Sequence, residues 1–154
     1  MPTASIDQLA TLLRYCEDFA KQMLGEAGEF HPFGAFLNGE GKVETLSAYL
    51  GGQPQGHELY SLLQGAVSSL AAQGKLKAYA IAANVNIPSQ LKVAYPDGIR
   101  VHVESPGYSR MVYTPYRLLS YRPLRKFLAF LPLVEYLEPI AVDVNGSAFL
   151  PPAG

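Results

Sequence analysis

An α+β domain is the fold this sequence predicts: an antiparallel sheet of about five strands with two helices on one face, in the order α-β-β-α-β-β-β. Three observations lead there. Two segments carry apolar residues at helical spacing, five read as strands, two of them with clear period-two alternation, and glycine- and proline-containing turns separate the strands of the second half.

Taken in order, Ile6, Leu9, Leu13, Cys16, Ala20 and Met23 recur at spacings of three and four, which predicts one buried helical stripe from about Ser5 to Leu24. Ser5 and Gln8 have the S-x-x-Q form of a capping box, and Gly25 is the expected stop. Phe33 to Leu37 reads as a strand, Asn38 to Gly41 as a turn, and Lys42 to Tyr49 as the returning strand of a hairpin. The run "GGQPQG" breaks that strand. Leu59, Leu63, Ala66 and Leu70, with Leu62 and Val67 beside them, mark a second amphipathic helix that Gly74 ends.

The segment "LKAYAIAANVNIP" alternates as a central strand, with Tyr79, Ile81, Ala83 and Val85 sharing a face. "YPDG" turns the chain, and Ile99, Val101 and Val103 begin the next strand. After "SPG", a strand from Arg110 is expected to stop near Pro115, because proline cannot donate into a central ladder. Beyond Tyr121 the pattern admits a short helix broken at Pro132 or two bent strands, and only "IAVDV" reads as strand. The whole of 1–154 is expected to form one domain with a frayed "PPAG" tail.

Composition narrows the function classes. With 49% hydrophobic and 16% charged residues the chain is of the folding kind, and its formal net charge of -1 gives no global attraction to nucleic acid or anionic membrane. Charge is nonetheless unevenly placed. Residues 1–60 hold eight acids and three bases, whereas Arg100, Arg110, Arg117, Arg122, Arg125 and Lys126 face Glu104 alone across residues 100–126. The single cysteine, Cys16, excludes an intramolecular disulfide, and the absence of a signal-like N-terminal run points to the cytoplasm. The apolar run "FLAFLPLV" is too short to cross a membrane and reads as core or subunit contact.

Chemistry-bearing patterns are sparse. His31, His57 and His102 lie in no zinc-type spacing, so no metal is expected, and no motif calls for a cofactor. There is no G-x-S-x-G elbow, and "GEGK" at residues 39–42 lacks the glycine spacing and following hydroxyl of a phosphate loop. His31, between Phe30 and Pro32, reads first as a packed imidazole. The competing reading is an acid–base pocket of His31, Glu104 and Tyr116.

In "YSRMVYTPYRLLSYRPLRK" tyrosines interleave with arginines, and Tyr113, Tyr116, Arg117, Tyr121, Arg122 and Arg125 form a candidate binding surface. The plainer reading pairs those arginines with the acidic N-terminal half, within one molecule or across a homodimer.

The stretches "GEFHPFGAFLNGEGKV", "GIRVHVES" and "YTPYR" resemble a group of small bacterial proteins with a GEF-aromatic-PFG hairpin and a PYR element, over roughly residues 9–117. The group has no assigned activity, so the resemblance implies a bacterial cytoplasmic α+β domain; His31 stands where its members often carry a different aromatic. The element order is also similar to roadblock and profilin-like domains and to several bacterial immunity proteins. The leading functional reading is a non-catalytic binding or protein-interaction module, homodimeric, presenting the tyrosine–arginine tract to a protein or small acidic partner. A small enzyme using His31, Glu104 and Tyr116 is the alternative. Single-strand nucleic-acid binding is the third and least favoured.

Overall fold

The computed structural model describes residues 4–46, 56–119 and 134–144, the side chains of Gly56 and His57 excepted. Helix α1 spans Ile6–Ala27 and starts on the expected capping box: the Gln8 N–H donates to Ser5 Oγ at 3.1 Å and the Ser5 N–H donates to Gln8 Oε1 at 2.9 Å. It ends three residues later than expected, because Gly28 rather than Gly25 takes the left-handed conformation (φ +76°) and donates its N–H to the Leu24 carbonyl. The buried stripe is Leu9, Leu12, Cys16, Ala20 and Leu24; Ile6 is exposed.

Strands β1 (Phe33–Asn38) and β2 (Val43–Thr45) form the expected hairpin. Asn38 closes its turn, with Oδ1 accepting from the Glu40 and Lys42 N–H groups, and Gly41 supplies the positive φ. Leu46 follows β2 and donates its N–H to the Gly34 carbonyl, and residues 47–49 of the return strand expected to Tyr49 lie outside the described residues. Helix α2 (Gly56–Ala72) is followed by Gly74 at φ +68°. Then come β3 (Leu76–Asn86), a 3-10 turn at Ser89–Leu91, β4 (Asp97–Ser105) and β5 (Tyr108–Leu118). Two short strands, β6 (Val134–Tyr136) and β7 (Ile140–Asp143), complete the described chain.

The α+β class and the antiparallel sheet are as expected; the strand number and the helix placement differ. Among the described residues the sheet has seven strands, in the order β2-β1-β3-β4-β5-β6, with β7 also on β5. The helices take opposite faces. Ala35, Leu37, Ala78, Ala80, Ala82, Val101 and Val103 pack under α1, whereas Phe36, Tyr79 and Ile81 pack under α2 with Leu63 and Val67. The physical reason is that β1 and β3 are apolar on both sides, so each side must be covered.

Strand β5 also runs through Pro115 instead of stopping there. The Pro115 carbonyl accepts from the Leu137 N–H at 3.0 Å, so the proline's missing donor faces the outer edge and no bond to β4 is lost. Opposite it, the outer pairing shifts by one residue, from Tyr116↔Tyr136 to Tyr113↔Ile140, as a bulge divides β6 from β7. The segment "IAVDV" is strand as read, β6 is additional, and residues 120–133 are outside the described set, as is the "PPAG" tail. Among the described residues no helix is long and apolar enough to cross a membrane.

Candidate functional site

Strand β4 turns Ile99, Val101 and Val103 toward α1, which by period-two alternation puts Arg100, His102 and Glu104 together on the other face. These three side chains sit in three different settings. Glu104 is buried and accepts a hydrogen bond from the Tyr79 hydroxyl of β3. His102 is buried beside it, with Nε2 at 2.8 Å from Ser109 Oγ and 3.6 Å from Glu104 Oε2. Burial pushes the His102 imidazole below the usual histidine range; Glu104 opposes that and Arg100 adds to it.

The Ser109–His102–Glu104 grouping is not the arrangement of a hydrolytic relay. A relay needs the hydroxyl and the carboxylate on different ring nitrogens, and here both approach Nε2.

Arg100 stands at the end of the stripe and lines a cleft of about 640 Å³. The walls come from three places: the loop before β1 gives Glu29, Phe30, His31 and Pro32; α2 gives Tyr60 and Ser61; β3 gives Ala83, Asn84 and Val85. The Arg100 guanidinium lies over the Tyr60 ring, 5.1 Å from its centroid, and makes no ion pair among the described residues. Its Nε is buried with no hydrogen-bond partner. A guanidinium over an aromatic face, with no counter-ion among the described residues, can receive an anion.

The sequence-predicted residues are distributed as follows. His31 is exposed at the cleft mouth. Tyr116 is on the α1 face and reaches the cleft rim only through Asn84, whose Oδ1 accepts from its hydroxyl at 2.6 Å. Glu104 is far from both. Phe33 is level with Val101 across β3, Glu104 lies three residues further along β4, about 10 Å at strand spacing, and His31 lies two residues the other way. Tyr116 and Glu104 also occupy opposite faces of the sheet. The structure therefore does not assemble a His31–Glu104–Tyr116 acid–base pocket.

Of the binding tract, Tyr121, Arg122 and Arg125 fall outside the described residues. Tyr113 is half-buried across from Arg100. Arg117 bonds Glu135 and lies over the Tyr95 ring at 4.9 Å, while Arg110 bonds Asp143 at 2.8 Å. Their partners are thus acids of the neighbouring edge strands rather than of the N-terminal half. Donation from the Tyr95 hydroxyl and from Arg117 holds the Glu135 carboxyl below its usual range. Among the described residues no group of three or more potential metal ligands converges, and burial pushes the Cys16 thiol up to about 12, away from thiolate chemistry.

Sequence reading missed Tyr60, Arg100 and His102 as site residues. The signal for two of them was present in "RVHVE", where every second residue is polar on a strand whose other face is aliphatic. Compared with known proteins, the chain matches no family model, no curated protein and no solved structure, so the cleft is read from its own geometry.

Proposed function

We propose that this protein is a non-catalytic binding module and that the cleft beside Arg100 receives an anionic group of its partner. The observation that carries the reading is the Arg100 guanidinium in the cleft wall, over the Tyr60 ring and with no ion pair among the described residues. A partly buried cation without a counter-ion is unfavourable in the empty state, and an incoming anion on its fork offsets that cost. Phe30, Pro32, Ala83 and Val85 make part of the cleft wall apolar, as in binding sites for small molecules. The tyrosine–arginine tract supports a partner surface less well, since Arg110 and Arg117 already hold carboxylates.

The reading predicts a separation of stability from binding at Arg100. Replacing it by glutamine removes an uncompensated charge, so the melting temperature of Arg100→Gln stays level or rises. Acetate raises the melting temperature of the wild type above that in an equal concentration of chloride, and the variant loses that difference. A variant that is several degrees less stable, with its anion response intact, makes Arg100 a structural residue and sinks the proposal.

A further inference from the structure

The same cleft carries a statement about which anion it takes, resting on the reading just given. We infer that the anion is a carboxylate carried on a compact apolar body, a small aromatic or branched carboxylic acid, rather than a phosphate or sulfate ester. Three features converge on that class.

The first is charge. Arg100 supplies one positive charge to the described lining and Glu29 supplies one negative charge at the mouth. A carboxylate carries a single charge and pairs with Arg100. A phosphate monoester carries close to two at neutral pH, and its second charge meets Glu29 with no further lysine or arginine among the described lining residues to take it.

The second is the shape of the donor. The guanidinium is planar and lies over the Tyr60 ring, 5.1 Å from its centroid. A planar fork matches the two coplanar oxygens of a carboxylate.

The third is the remainder of the wall. Phe30, Pro32, Ala83 and Val85 are apolar and rigid, which suits a ring or branched chain rather than a polar sugar. Outside the charged pair, His31 and Ser61 offer hydrogen-bonding groups at the opening. About 640 Å³ accommodates a molecule of that size with room for solvent.

The test uses one ring with three head groups: benzoate, phenyl phosphate and benzamide, each titrated into the full chain while backbone amide shifts are followed. Benzoate is expected to give saturable shifts at residues 83–85 and 99–101, at least tenfold tighter than phenyl phosphate, with benzamide silent. Arg100→Gln is expected to weaken benzoate tenfold or more, and Arg100→Lys, which keeps the charge and loses the fork, to weaken it several-fold in a folded protein. Glu29→Gln is expected to narrow the gap by tightening phenyl phosphate more than benzoate. Phenyl phosphate equal to or tighter than benzoate overturns the carboxylate assignment and leaves the anion cleft standing. Benzamide matching benzoate, no shifts with any probe, or full benzoate affinity in both Arg100 variants overturns the cleft reading itself.

Discussion

His102 and Tyr79 show how single side chains set the chemistry of the buried face. Because burial lowers the His102 imidazole below its ordinary value near 6.5, the unfolded chain binds more protons than the folded one in the window just below that value. Stability therefore rises with pH through that window and is lost as pH falls below about 6.5, with a slope of up to about 1.4 kcal/mol per pH unit. Urea melts at pH 7.5 and 5.5 should show a smaller acid loss in His102→Gln than in the wild type; equal losses would remove His102 from the account. Tyr79→Phe deletes a donor to the buried Glu104 carboxyl and should cost about 2 kcal/mol in the same assay. The period-two stripe that unites Arg100, His102 and Glu104 was legible in the sequence. The partners that decide their roles, Tyr60, Tyr79 and Ser109, come from other elements and left no local trace.

At the scale of elements, caps and turns were the most legible features because their chemistry is local. The Ser5–Gln8 box is such a case, and Ser5→Ala should lower stability by about 1 kcal/mol with an unchanged fold, read by thermal or urea melts. Spacing located α1 but left its rotation ambiguous: Ile6 and Leu13 fit the period as well as Leu12 and Leu24 do, and only the position of the sheet chooses between them. Strand β5 outran its proline because the missing donor faces a bulge, a fact about the neighbour rather than about β5. Gly98 belongs here too. A Cβ there would lie 2.6 Å from Ile87 Cδ1 and 3.3 Å from the Thr114 carbonyl oxygen, so Gly98→Ala should destabilise by about 1–3 kcal/mol as β4 is pushed from the chain that crosses it.

At the scale of the whole molecule, the fold class followed from element order, while the two-sided covering of the sheet did not. The clue lay in β3, where "AYAIAA" alternates large with small rather than apolar with polar, so that Tyr79 and Ile81 serve one helix and Ala78, Ala80 and Ala82 admit the other. The cleft is a product of this arrangement, since it opens where α2, the loop before β1 and the ends of β3 and β4 meet. The pairing of β1 with β3 has a consequence in time. Strands β4 and β5 are joined by the tight Pro106–Gly107 turn, but Phe33 meets Ala82 only after the whole of α2 has been spanned. Closing so long a loop is entropically costly and is repaid late, so the β3–β5 meander should form first and the β1–β2 hairpin should dock onto a prepared edge. In chevron measurements Val101→Ala should then chiefly slow refolding, whereas Phe36→Leu should chiefly hasten unfolding, and the opposite pattern would reverse that order.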